Sequence, residues 1–220
     1  MDYSKTIRIS KALRDSFMFR GRHRTSSLPK SVHRFFALLD KQRIEHLLVG
    51  GLALLQYVRI RNTDDIDMII SEASLKKLSQ VEIIEQENHF VYGRFDELEV
   101  NFFLSSDPLF EKVLRECAIN QRFEEKVIPC ATVKGLLLLK LYALPSLYRE
   151  GNFIRTSICE NDIAVLIYYY KPQISELLDE LSPYLTETEL GELLRVSADI
   201  EARIKRFRRH FRCHEEKNNK

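Results

Sequence analysis

The spacing of apolar residues divides the chain into a first half of mixed periodicity and a second half of helical periodicity. Val32, Phe35, Phe36, Leu38 and Leu39 recur at helical spacing, and Ser27 to Lys30 supplies a start with Pro29 in the first turn, so a helix is predicted to about Gln42. A short apolar strand at Leu47 to Val49 follows, then a Gly50-Gly51 turn opening a helix, a basic connection, and a strand carrying Asp65-Ile66-Asp67 into Met68, Ile69 and Ile70. Ser74 to Leu78 reads as a short helix. Val81 to Ile84 and Phe90 to Phe95 read as strands, Asp96-Glu97 as a hairpin turn, and Leu98 to Leu104 as a strand that alternates cleanly. On that strand Leu98, Val100, Phe102 and Leu104 share one face, and Glu99, Asn101 and Phe103 the other. Asp107 and Pro108 form a cap and first-turn proline for a helix through Leu109, Phe110, Val113, Leu114 and Cys117, and Lys126 to Pro129 is strand-like. Beyond it the pattern predicts four helices, Thr132 to about Leu147, Ser157 to Tyr170, Ile174 to Leu181, and Glu187 to about Phe211, with breaks at Pro145, Gly151, Pro172 and Pro183.

This order describes an α+β protein. A mixed β-sheet with flanking helices is expected over residues 28–130, a helical C-terminal region over 131–214, a basic N-terminal arm over 1–27 and a tail over 215–220. At 220 residues and 45% hydrophobic content the chain can bury one good core or two small ones. The net charge of +2 hides an uneven distribution. Residues 1–30 hold eight Lys or Arg against Asp2 and Asp15, and 203–212 hold six basic residues and no acid, the pattern of a surface that docks a polyanion or of a solvated face. Cys117, Cys130, Cys159 and Cys213 have no metal-ligand spacing, and the first three sit in or beside apolar segments as buried reduced thiols. No apolar h-region follows the charged N-terminus and no apolar run approaches a membrane span, so no membrane is expected and the cytoplasm is the expected location.

Two places carry chemistry. Side chains two apart on a strand share a face, so Asp65 and Asp67 project together, and their mutual repulsion calls for a cation; a hard divalent ion such as Mg²⁺, or Mn²⁺, answers it. Gly50 and Gly51 let backbone approach a ligand closely, and the helix start after them offers N–H groups to phosphate. The second place is Lys140, set in the apolar run GLLLLKLYAL, where an amine is disfavoured unless an anion meets it or it snorkels to water. A purely structural Lys140 should tolerate methionine with stability kept or raised. Asp162 precedes another apolar run, IAVLIYYY, where its plain role is charge compensation in a first turn.

Gly50-Gly51, thirteen intervening residues and Asp65-Ile66-Asp67 resemble the signature of the polymerase-beta-like nucleotidyltransferase superfamily. The fuller strings VGGLAL and RNTDDID, with LLLLKLYALPSLYREG and later ENDIAVLI, are similar to the AbiEii-like toxin branch, whose helix lysine maps to Lys140 and whose aspartate maps to Asp162. The branch often has a lysine immediately before that aspartate, where this chain has Asn161. The resemblance implies transfer of NMP from an NTP to a hydroxyl, with pyrophosphate leaving. Asp65 and Asp67 would hold Mg²⁺ or Mn²⁺, Gly50 and Gly51 would cradle the triphosphate, Arg61 or Lys140 would pair with its oxygens, and Asp162 would take the hydroxyl's proton or ligate a metal. The helical region is expected to pack across the cleft and bring Lys140 and Asp162 to it. The superfamily's third carboxylate falls where this chain has Asn101; Glu99, on the same face, is the substitute, or the metal rests on two acids, or the site is degenerate. The implied acceptor is an RNA, the 3′ end of tRNA, docked in part by Arg206, Arg208 and Arg209, and the implied role is a toxin paired with an antitoxin or serving phage defence. Two alternatives stand beside this reading: a nucleotidyltransferase acting on a protein or on a small molecule such as an antibiotic, and a non-catalytic binding module that kept the fold.

Overall fold

The structure is a computed structural model that describes residues 30–58, 65–123 and 126–218, with side chains described to residue 210. The chain divides into two compact units, residues 1–136 and 137–220.

The first unit is built on a seven-stranded mixed sheet in the order β3-β4-β5-β2-β1-β7-β6. Its elements in chain order are α1 (Lys30–Lys41), β1 (His46–Val49), α2 (Gly50–Leu54), β2 (Asp65–Ile70), α3 (Glu72–Leu75), β3 (Glu82–Glu87), β4 (Phe90–Phe95), β5 (Leu98–Leu104), α4 (Pro108–Glu116), β6 (Ala118–Phe123) and β7 (Lys126–Ala131), followed by the first turn of α5 (Val133–Arg149). The two central strands, β2 and β1, pair antiparallel; β2 pairs parallel with β5 and β1 parallel with β7. Strands β3, β4 and β5 form an antiparallel meander, and β6 and β7 an antiparallel hairpin.

The pleat sorts the side chains as the alternation on β5 requires. Leu98, Val100, Phe102 and Leu104 are fully buried, the last three level with Ile66, Met68 and Ile70 of β2. Helix α1 covers this face: Phe35 packs on Phe95 of β4 and Phe36 on His46 of β1. The opposite face has two characters. At one end Phe90, Phe103 and Phe110 of α4 form an edge-to-face cluster with centroids 5.3–5.4 Å apart. At the other, Tyr92, Arg94, Glu99, Asn101, Asp65 and Asp67 share the surface in register. Asp107 caps α4 by accepting from Leu109 N and Phe110 N at 2.8 and 3.2 Å, with Pro108 in the first turn.

Strand β6 breaks from the sequence pattern, which showed no strand between Cys117 and Lys126. Ala118, Ile119, Asn120 and Arg122 are exposed, so no apolar alternation marks it, and backbone pairing with β7 holds it as an edge. Buried Cys117, Cys130 and Cys159 are reduced, outside any disulfide, and burial pushes the Cys130 thiol up to about 12, which keeps it protonated.

The second unit is helical: the remainder of α5, then α6 (Phe153–Tyr170), α7 (Ile174–Leu181), a 3₁₀ turn at Ser182–Tyr184, and α8 (Glu187–Asn218). Pro145 lies inside α5 rather than ending it. It stands within about one turn of the helix end, and Leu144 and Leu147 on either side are buried, so packing holds the last turn despite the lost backbone bond. Helix α6 begins four residues before the expected Ser157, because Asn152 caps it by accepting from Arg155 N. Thr186 and Glu189 form a reciprocal capping box that starts α8, which lowers the Glu189 pKa chiefly through the Thr186 N–H. Leu193, Ser197, Ile200 and Ile204 give α8 one narrow buried stripe against α6 and α7.

Candidate active site

The acidic pair stands where the alternation put it. Asp65 and Asp67 lie on one face of β2, 7% and 6% exposed, in a strand whose six residues are all buried. Both carboxylates are therefore held close together with little water to screen them.

Gly50 meets Asp67 from the side of β1. Val49 is directly opposite Asp67 in the antiparallel ladder, and the chain turns at Gly50 with a φ of 65°, a left-handed conformation that only glycine adopts without penalty. A Cβ there would stand 1.8 Å from Asp67 Oδ2 and 2.5 Å from its Cγ. Gly50 thus serves both the turn and the close approach of backbone to carboxylate. Helix α2, opened by Gly50 and Gly51, has only five residues. Its dipole is correspondingly small, so what it can offer an anion is confined to the N–H groups of its first turn. Tyr57, just beyond α2, anchors the segment by donating to the Ala131 carbonyl of β7 at 2.9 Å.

From the other side comes Asn101. It is directly level with Asp67 in the parallel ladder, 9% exposed, and its Nδ2 donates to Asp67 Oδ1 at 2.8 Å. The residue standing where the superfamily pattern has an acid is therefore a donor that fixes the neighbouring carboxylate. Glu99 lies level with Asp65 but is engaged by β4: the Tyr92 hydroxyl bonds to it and Arg94 is level with it, while its Oε2 is buried without a hydrogen-bond partner. Burial first, then repulsion from Glu99 and the bond to it, raise the Tyr92 pKa, with Arg94 opposing. Among the described residues no group of three or more Asp, Glu, His or Cys side chains converges for a metal ion. Glu99 accordingly completes no three-acid cluster, and the set is two carboxylates braced by an amide. Carboxylate and amide oxygens are the donors a hard divalent ion prefers, so the residues present fit Mg²⁺ or Mn²⁺. Arg61, expected to meet the triphosphate, lies outside the described residues.

In the second unit Lys140 and Asp162 are brought together. Lys140 Nζ donates to Asp162 Oδ2 at 2.8 Å, with the lysine side chain 14% exposed and the aspartate fully buried. Lys140 therefore neither snorkels nor stands alone. Asp162 is mid-helix in α6, well past its first turn, so it compensates no helix dipole; its charge is met by the lysine instead. Of the three arginines expected to dock RNA, Arg206 and Arg209 are exposed. Arg208 is half-buried: its Nη2 donates to the Tyr168 carbonyl at 2.9 Å and its guanidinium lies 5.0 Å from the centre of the Tyr168 ring.

No protein-family model and no curated protein sequence matches the chain. Among solved structures, ANT(2'')-Ia in complex with adenylyl-2''-tobramycin superposes with a TM-score of 0.50 at 11% identity, over 76% of this chain and 96% of that one. An antigenic nucleotidyltransferase-like protein from Paracoccidioides brasiliensis gives a TM-score of 0.49 at 17% identity, over 80% and 89%. At such identities the likeness establishes the fold. The chain has a nucleotidyltransferase-like α+β fold followed by a helical C-terminal region.

Proposed function

We propose that this protein is a metal-dependent nucleotidyltransferase that moves NMP from an NTP to a hydroxyl of an RNA acceptor, the 3′ end of a tRNA, and acts as a toxin of a toxin-antitoxin or phage-defence pair. The observation that carries the enzymatic part is the juxtaposition at Asp67: a buried carboxylate beside Asp65, touched by the Gly50 turn on one side and braced by Asn101 on the other. Such a charge concentration is costly in a plain core and useful beside a cation and a triphosphate. The RNA acceptor and the toxin role rest on the resemblance and, for RNA, on the basic ends of the chain.

In this reading Asp65 and Asp67 hold the divalent ion. When bound, that ion supplies the positive charge that offsets charge developing on the transferred phosphoryl group and the departing pyrophosphate. The chain's own residues do the rest. Asn101 holds Asp67 in one rotamer, so no reorganisation is needed as substrate arrives. Gly50, having no Cβ, lets the Asp67 carboxylate seat directly against the turn, and the N–H groups that follow would donate to the triphosphate. Lys140 and Asp162 enter as a pair on the strength of the resemblance, with the lysine assigned to phosphate oxygens and the aspartate to the attacking hydroxyl. Incubation with each α-labelled NTP, Mg²⁺ and total tRNA tests the reading: label should appear in RNA with one or more of the four. NTP-derived label confined to protein or to a small molecule would favour the first alternative, and no metal-dependent NTP consumption at all would favour the non-catalytic one, for which Asn101 is the supporting residue.

A further inference from the structure

The second unit carries a cluster of aromatic rings at its surface that the reading above does not use. Tyr169 is 64% exposed, Tyr170 45% and Phe207 56%. Tyr169 and Phe207 are tied together through Tyr168, whose ring meets Tyr169 at 5.1 Å and Phe207 at 5.8 Å between centroids, both edge to face. Arg208 clamps Tyr168 from above and through its carbonyl. Its position on α8 explains why: Leu193, Ser197, Ile200 and Ile204 form the buried stripe, and Arg208 is the next residue at a spacing of four.

Phe207 lies on the flank of that stripe, with Arg203 and His210 beside it at spacings of four and three and Arg206 a further step round the helix next to them, all exposed. From Ala202 to His210 there are five Lys or Arg and no acid. Lys205 and Arg209 project from the other flank of α8, on the side of the helix opposite Phe207. Exposed rings packed on Tyr168, beside the exposed guanidinium groups of Arg203 and Arg206, match the chemistry of unpaired nucleotides: bases stack on rings and phosphates pair with arginine. A duplex keeps its bases stacked on one another and offers only its backbone to such a surface.

We infer that Tyr169 and Phe207, with Arg203 and Arg206, form a binding surface for single-stranded RNA, through which the acceptor's unpaired end or loop is held. The inference rests on the nucleotidyltransferase reading for its purpose, but the surface binds RNA without metal or NTP. Arg208 is a positioning residue here, not a phosphate ligand.

The test measures affinity of the full chain for a fluorescent single-stranded RNA of about ten nucleotides, and for its duplex, in EDTA across a range of salt. The single strand should bind more tightly. Phe207→Leu and Tyr169→Leu, which keep apolar bulk and remove the ring, should each weaken it about tenfold, as loss of one stacked base implies. Arg203→Gln with Arg206→Gln should lower the slope of log affinity against log salt by about 1.4, whereas Lys205→Gln with Arg209→Gln should leave it near wild type. Ring variants that bind as well as wild type, or equal slopes for the two arginine pairs, would overturn the inference, as would failure of the wild type to bind single strands. Asp67→Asn separates the two claims: it should keep RNA binding while losing transfer. A wild type that binds RNA through these rings yet transfers nothing would sink the enzymatic reading and leave this surface standing.

Discussion

At the scale of single residues, the account turns on what surrounds Asp67. Gly50→Ala forces a Cβ into the carboxylate and a side chain into left-handed backbone, the latter alone worth about 1–2 kcal/mol. The variant should melt several degrees lower and lose transfer; a variant with wild-type melting and activity would mean that the turn is free to move away. Asn101→Asp exchanges a donor to a charged group, worth about 1.5–3 kcal/mol, for a third negative charge. Its melting temperature should fall in EDTA and recover on adding Mg²⁺ by more than the wild type gains. A variant indifferent to Mg²⁺ would detach Asp67 and Asn101 from any metal site. His46 supplies a pH effect independent of the site. Its Nδ1 donates to the Ile44 carbonyl at 2.8 Å and its buried Nε2 has no partner, so burial lowers its pKa from 6.5. A lowered histidine pKa means that the unfolded chain binds the proton more readily, so His46 favours folding above pH 6.5 and that contribution is lost as pH falls below it. Melting curves from pH 7.5 to 5 should therefore drop more steeply for wild type than for His46→Gln.

At the scale of elements, the buried ion pair between α5 and α6 reverses an inference made from sequence. An isolated lysine in an apolar helix should tolerate methionine, but Lys140→Met removes the ammonium that donates to a fully buried carboxylate, with an expected loss of about 3–5 kcal/mol. Lys140→Met combined with Asp162→Leu should recover most of it. Thermal unfolding of the two variants decides the point, and a single variant as stable as wild type would show that the Lys140 ammonium contributes nothing to holding the buried carboxylate. The sequence could not reveal this because neither residue carries its partner in its own helix pattern: they are 22 positions apart. The same holds for Asn101 and Asp67, whose contact depends on the parallel register of β2 and β5. By contrast, β5, with its clean alternation, and α4, with its Asp107-Pro108 start, were legible because each is specified by neighbours in sequence. Strand β6 was not, since backbone pairing alone makes it, and the end of α8 at Asn218 lies beyond Phe211 in a run too charged to show periodicity.

At the scale of the whole molecule, the order of mixed sheet then helices was visible in the change of apolar period, and the two compact units divide at Leu136–Leu137, inside α5. Composition could not have placed that division, because the run GLLLLKLYAL is apolar throughout and carries no boundary residue. Among the described residues no helix is long and apolar enough to cross a membrane. The RNA acceptor is proposed from the resemblance and the basic ends, since the net charge of +2 says little and the likeness to solved structures reaches no further than the fold. The central claim is that the Asp65 and Asp67 pair supports metal-dependent nucleotidyl transfer. Its most direct test is the rate of label transfer from α-labelled NTP into tRNA by wild type, Asp65→Asn and Asp67→Asn, with melting temperatures recorded in EDTA. Transfer by the wild type should require Mg²⁺ or Mn²⁺, and each variant should fall by at least about two orders of magnitude, as loss of several kcal/mol of charge stabilisation implies, while melting at or above the wild-type temperature because the carboxylate repulsion is relieved. Transfer at the wild-type rate by either variant would contradict the claim.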